Sequence, residues 1–240
     1  MASALARGIG EPVLVHDIDS AKAESLAAEL GGQALASGAE LAERADVVVL
    51  CHKPQQLAEV AAQISPRAIA SILAATTTGQ IEQAYPDTPV YRFIPNIPAE
   101  VRQGVLCYVP GTLAAHGPEQ EILELFGRAG TIIALDDEPL IEPAMALMSC
   151  APAFMAFIAE SFADAGTEHG LAPDDAMRMV VETMGGTAAY LGANGWDAEG
   201  LRTRVATPGG ATERGLIRLE EEGLARVCRA AVDAVVEGTR

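Results

Sequence analysis

Asp46-Val47-Val48-Val49-Leu50-Cys51-His52-Lys53-Pro54-Gln55 is the stretch that decides the fold. Its unbroken apolar run, Val47 to Cys51, is what a strand buried on both faces requires, and the proline beyond it suits the first turn of a helix. The same alternation repeats outward in both directions. Upstream, Pro12 to His16 reads as a strand ending at Asp17; Asp19 or Ser20 then caps a helix that runs to Leu30 and stops at Gly31-Gly32. Downstream come a helix over Pro54 to Ile64 and strands at Ile69 to Leu73, Val90 to Ile94, Val105 to Val109 and Thr131 to Leu135. A helix over Pro118 to Arg128 separates the last two strands. Strands alternating with helices predict a largely parallel sheet covered on both faces.

After Asp136-Asp137 the pattern changes. Residues 138–240 hold no convincing strand, and apolar residues such as Met177, Val180, Val181 and Met184 recur at helical spacing. The expectation is a Rossmann-like α/β domain over 1–137 followed by an all-α domain over 138–240. Its apolar helix faces predict a homodimer or a higher homo-oligomer. Pro143 to Ala159 is uncharged and near the shortest membrane span, about 17 residues. Ser149, Pro152 and the lack of basic flanks favour a helix buried in an interface instead. The formal net charge of -17 argues against nucleic acid and anionic membranes as partners, since both need basic patches. Cys51, Cys107, Cys150 and Cys228 lie far apart with no CxxC pairing, so reduced thiols in a cytoplasmic protein without a metal site are expected.

The chain opens on a helix, Met1 to Gly8. In a dinucleotide-binding fold the first strand lies centrally, and a glycine-rich turn joins it to the first helix. The strand at Pro12 to His16 therefore reads as the second one. The strands flanking the missing position should carry unpaired edges, and the sequence is expected to start late within its domain. Nucleotide binding by these 240 residues is accordingly expected to be weak. Near the other end, Pro208-Gly209-Gly210-Ala211-Thr212 precedes a helical run marked by Leu216, Leu219, Glu220 and Leu224. A proline and two glycines leave the first N–H groups of that helix uncovered, which suits a small carboxylate. Thr212 adds a hydroxyl in the first turn.

Several segments in shared order and spacing resemble the Δ1-pyrroline-5-carboxylate reductase family over nearly the whole chain. Met1-Ala2-Ser3-Ala4-Leu5 is similar to the residues that follow that family's glycine-rich turn. Val48 to Gln55 is similar to its "VFLAVKPQ", and Arg92-Phe93-Ile94-Pro95-Asn96-Ile97-Pro98-Ala99 to "RVMPNTPA". Glu182 to Ala188 is similar to "QTxxGxA". Thr207-Pro208-Gly209-Gly210-Ala211-Thr212, with Gly215-Leu216 and Leu219-Glu220, is similar to "SPGGTT…GL..LE". The resemblance implies a reductase of a cyclic imino acid that uses NADP or NAD. It implies that His52, Lys53 and Pro54 line the cofactor, that Ala74 and Ala75 let it approach the backbone, and that the Asn96 amide meets the nicotinamide carboxamide. It further implies that Thr207, Gly209, Gly210 and Ala211 hold the substrate carboxylate, and that Thr212 assists protonation of the ring nitrogen as the catalytic residue. Asp17 falls where an acidic residue bonds a ribose 2′-hydroxyl, and Asp17-Ile18-Asp19 would repel a 2′-phosphate, which favours NADH.

The chain departs from the family's pattern in places. "TALSGSGPAY" is replaced by Met145 to Phe154, with Ser149 and Ala151 where glycines stand and Met145 in place of a threonine. Arg102 replaces a glycine, Ile97 a threonine, and Thr203-Arg204-Val205 lacks the acid of "DxV". These changes point to two alternatives: reduction of another cyclic imino acid, or a non-catalytic relative that binds metabolites or partners. A β-hydroxyacid dehydrogenase is disfavoured, because Lys22 and Lys53 are the only lysines and neither lies in the helical part.

Overall fold

Within the run 47–51, Val48–Leu50 form the edge strand of a five-stranded sheet in the computed structural model, which describes residues 1–238. In chain order the first unit contains α1 (Ala2–Ile9), β1 (Leu14–Val15), α2 (Ser20–Leu30), β2 (Gln33–Ala34), α3 (Gly38–Arg44) and β3 (Val48–Leu50). A 3-10 turn at Pro54–Gln56 leads into α4 (Leu57–Ala61), followed by β4 (Ile69–Ser71), α5 (Thr78–Ala84) and β5 (Val90–Pro95). Next come β6 (Gly104–Pro110), α6 (Glu119–Gly127), β7 (Gly130–Ala134) and α7 (Ile141–Met148). The sheet order is β3-β4-β5-β6-β7, and every pairing is parallel except β5 with β6. The link from Pro95 to Gly104 is shorter than the dozen or so residues that a parallel crossover needs, so β6 returns antiparallel.

β1 and β2 form a separate parallel pair. Among the described residues β1 is hydrogen-bonded only to β2, and β3 only to β4, so both strands expected to carry a free edge do carry one.

Side chains alternate between the two faces of the sheet. Ala70, Tyr91, Phe93 and Leu106 pack with Leu5, Ile9, Ile122 and Phe126 on one side. Ile69 and Val90 pack with Val48, Leu50, Ile81 and Tyr85 on the other. Phe93 stacks on Tyr108 at 5.2 Å and tilts against Phe126 at 4.6 Å. The helix α1 lies so close to the turn after β5 that a Cβ on Gly8 would collide with the Ala99 carbonyl oxygen. Arg102, standing where the family has glycine, adopts φ 60, the left-handed region, and donates from Nε to Gly8 O at 3.1 Å.

An ion pair ties the end of this unit to its sheet. Arg92, on β5, is 7% exposed and donates from Nη1 to Glu138 Oε1 at 2.6 Å. The same oxygen accepts from Thr78 N, the first residue of α5, at 2.6 Å. Partial burial tends to raise the Glu138 carboxyl pKa, but hydrogen bonds from Thr78 and Arg92 outweigh it and hold the value below the usual range. A carboxyl lowered on folding contributes stability that is complete well above its unfolded pKa, about 4.5, and is lost as the pH falls through the folded value. Urea unfolding of the protein and of Glu138→Gln should therefore differ most near neutrality, and that difference should shrink below pH 4. A gap independent of pH would show that the charge on Glu138 contributes nothing.

The second compact unit spans Ala153–Gly238, the first running from Met1 to Pro152. The strands stop where the sequence boundary at 137 places them, but α7 packs on β5 and β6 and so stays with the first unit. The second unit contains most of α8 (Ala151–Glu168), then α9 (Pro173–Ala193), α10 (Ala198–Val205), α11 (Ala211–Glu221) and α12 (Leu224–Gly238). The last two residues of the expected 138–240 domain lie outside the described residues. Among the described residues of this unit only Ala159, Ala163 and Ala176 are buried, while Phe157 and Trp196 are 70% and 75% exposed. Residues 138–168 are long and apolar enough to cross a membrane by length and composition, with 17% of the most apolar window buried.

Candidate active site

The parallel strands β3, β4 and β5 pair in register, Leu50 with Ser71 and Ser71 with Arg92, so their C-terminal ends lie side by side. Open α/β sheets bind their ligands at such ends. Beyond them come Cys51 to Pro54, Ile72 to Thr76, and Asn96. Asp17, after β1, belongs to the same neighbourhood. Cys51 keeps surface open to solvent, yet its thiol is crowded, and this desolvation raises its pKa. The Asp17 carboxylate raises it further, and the Met1 amino group opposes the rise. The start of α1, the end of β1 and the end of β3 therefore converge. A helix N-terminus there presents the N–H groups and partial positive charge that favour a pyrophosphate.

His52 donates from Nδ1 to Lys53 O at 2.9 Å, which leaves Nε2 as an acceptor, buried and without a partner. Lys53 is exposed and its N–H donates to Gln56 Oε1 at 3.2 Å, which closes the turn opened by Pro54. Ala75 adopts φ 49, a conformation costly to any residue with a Cβ. Thr76 Oγ1 donates back to Ala74 O at 3.1 Å. Between α4 and α5 lies an open groove of about 780 Å³, lined by Pro54, Leu57, Ala75, Thr76 and Gln80 among others. That volume lies within the usual range for a small-molecule site. Of the expected cofactor residues only Pro54 and Ala75 line this groove; Asp17, His52, Lys53, Ala74 and Asn96 lie outside its lining.

The Asn96 side chain is buried and used at both ends. Nδ2 donates to Met148 O and Oδ1 accepts from Val105 N, each at 2.9 Å, tying β5 to α7 and β6. One Nδ2 hydrogen remains for a ligand. Ser149 Oγ donates to Pro95 O at 3.4 Å, which puts a side chain against the same strand end.

In the second unit, the segment 207–212 that the sequence singles out is a loop over 207–210 followed by the start of α11. Gly209 has φ 73, which glycine adopts without strain, and a Cβ on Gly210 would stand 2.8 Å from the Thr207 carbonyl oxygen. Both glycines are therefore required by the turn. Gly210 is the N-cap of α11 and no side chain caps it. Ala211 and Thr212 occupy the first two helical positions, where the backbone N–H groups have no partner within the helix. Glu213 and Arg214 brace the loop: Gly209 N donates to Glu213 Oε2 at 2.7 Å, and Arg214 Nη1 donates to Gly209 O at 2.8 Å. Sequence reasoning missed this pair, as it missed Thr76, Gln80 and Glu138.

An α/β unit with converging strand ends, followed by a helical unit whose first-turn N–H groups are open, defines an oxidoreductase of the dinucleotide-binding class. Comparison with known proteins narrows this. Residues 138–240 match the family model of pyrroline-5-carboxylate reductase dimerisation, and residues 1–76 match that of NADP oxidoreductase, coenzyme F420-dependent. The chain is 30% identical over 211 residues to pyrroline-5-carboxylate reductase 3 of Rattus norvegicus, covering 85% of this chain and 77% of that protein. It is 29% identical to the pyrroline-5-carboxylate reductase of Treponema pallidum, covering 100% of this chain and 96% of the other. A solved pyrroline carboxylate reductase of Plasmodium falciparum with NADP bound shares the fold, at TM-score 0.83 and 24% identity, covering 99% of this chain and 92% of that one. The chain belongs to the pyrroline-5-carboxylate reductase family.

Proposed function

We propose that the protein reduces 1-pyrroline-5-carboxylate to proline with a nicotinamide dinucleotide. The first domain, residues 1–137, binds the dinucleotide through Asp17, His52, Lys53, Pro54, Ala74, Ala75 and Asn96. The second, 138–240, holds the substrate. The observation that carries this reading is the glycine turn at 209–210, which opens α11 with uncovered N–H groups. Gly209 N is taken by Glu213 Oε2 and Gly210 N by Thr207 O, so of the expected grips Gly209, Gly210 and Ala211 only the Ala211 N–H is open. With the Thr212 N–H and the Thr207 hydroxyl it holds the carboxylate. Thr212 donates a hydrogen bond to the nitrogen of the neutral imine and supports its protonation before the hydride is transferred. When bound, the reduced nicotinamide supplies the hydride. A protonated imine is already electrophilic, so the chain's own work is to align two rings and exclude water.

The helical unit supports assembly as a homodimer or higher oligomer. Three buried alanines form no core that can sustain five helices, whereas its exposed apolar side chains can be covered by a second copy. A cytoplasmic setting fits four free cysteines. The test follows nicotinamide absorbance in the presence of 1-pyrroline-5-carboxylate, with light scattering alongside. Turnover and a mass at least twice 24.9 kDa are expected. Absence of turnover would refute the enzymatic reading. Ser149, set against Pro95, favours a second reading in which another cyclic imino acid is preferred; a six-membered imino acid in the same assay separates the two.

A further inference from the structure

The turn after β1 decides which nicotinamide dinucleotide fits. Resting on the reading that this domain binds such a cofactor, we infer that Asp17 selects the dinucleotide with a free ribose 2′-hydroxyl, and hence NAD over NADP. The Asp17 carboxylate is held in place, because Oδ1 accepts from Asp19 N at 2.9 Å. A fixed carboxylate accepts hydrogen bonds from ribose hydroxyls and repels a phosphate.

The basic side chains around β1 are held by partners, Lys22 by Asp19 of the turn itself, which leaves Asp17 as the turn's carboxylate without an ion-pair partner among the described residues. Lys22 pairs with Asp19 at 3.3 Å, and His16 Nδ1 donates to Leu35 O at 3.2 Å. Arg44 bonds Glu40 at 3.1 Å and Gln33 at 2.7 Å, and Arg7 bonds Glu29 at 2.7 Å and Glu100 at 3.0 Å. Lys53 has no ion-pair partner among the described residues; it follows β3, at a neighbouring strand end, and is not part of the turn that holds Asp17. The turn itself reads Asp17-Ile18-Asp19, with Ile18 92% exposed, so it offers a 2′-phosphate two carboxylates and no guanidinium. This preference runs against the NADP held by the Plasmodium structure.

The test is equilibrium binding of NAD⁺ and NADP⁺, each alone, to the full chain, repeated with Asp17→Asn. The protein should bind NAD⁺ about tenfold or more tightly than NADP⁺, and Asp17→Asn should cut that ratio about tenfold by removing the charge. Circular dichroism of the variant confirms that the fold is kept. Equal or tighter binding of NADP⁺ by the parent, or an unchanged ratio in the variant, overturns the inference while leaving the enzymatic reading intact. Since binding by these 240 residues is expected to be weak, the titration runs to millimolar dinucleotide, and failure of both to bind even there removes the reading and the inference together.

Discussion

Glu138→Ala should lower the unfolding free energy by about 3 kcal/mol, because it strands the Arg92 guanidinium in the sheet with no counter-charge. The Arg92 side chain is 7% exposed, and its Nε is already without a hydrogen-bond partner. Glu138 satisfies Nη1 and also the first N–H of α5. Alanine removes both bonds at once. Glutamine should cost less, since its carbonyl can still accept from Thr78. Arg92→Met should also cost less than Glu138→Ala, because the carboxylate left behind is partly exposed and still accepts from Thr78 N. Urea denaturation of the three variants, compared at a common m-value, measures the order. A cost for Glu138→Ala below about 1 kcal/mol would mean that water reaches the guanidinium and replaces the carboxylate.

Thr212→Ala should lower turnover of 1-pyrroline-5-carboxylate about a hundredfold, with a much smaller change in KM. The hydroxyl sits in the first turn of α11 and is exposed, and it makes no hydrogen bond among the described residues. Its loss should therefore leave the helix and the loop as they are, with stability changed by no more than about 0.5 kcal/mol. Thr212→Ser should restore turnover, which separates the hydroxyl from the methyl group. An alanine variant within twofold of the parent would show that water alone delivers the proton, and Thr212 would then be only a helix residue.

Most of the α/β unit was legible because its strands are short apolar runs and its helix ends carry glycine. Gly31 does stop α2, with φ 66. Two helices, α3 and α5, escaped the reading although each begins with a cap that a sequence can reveal. Ser37 accepts from Glu40 N, and Thr77 forms a reciprocal pair with Gln80. Both helices are seven residues long, too short for periodicity to rise above their neighbours. The reversal at β6 was hidden because apolar runs carry no direction; only the length of the connecting segment does. Among the site residues, the glycines of 209–210 were readable because φ and close approach leave little choice of residue. Glu213 and Arg214 were not, since a charged residue in a first turn looks like an ordinary solvated one until its partner is seen.

The three small side chains at the heart of the helical unit have a further consequence. Their burial releases too little surface from water to offset the ordering of five helices, so that unit, Ala153–Gly238, should depend on encountering its twin. Mass action then enters the stability of the whole molecule. The unfolding temperature should climb with protein concentration, and a newly made subunit should remain open to proteases across its C-terminal helical unit until a second one arrives.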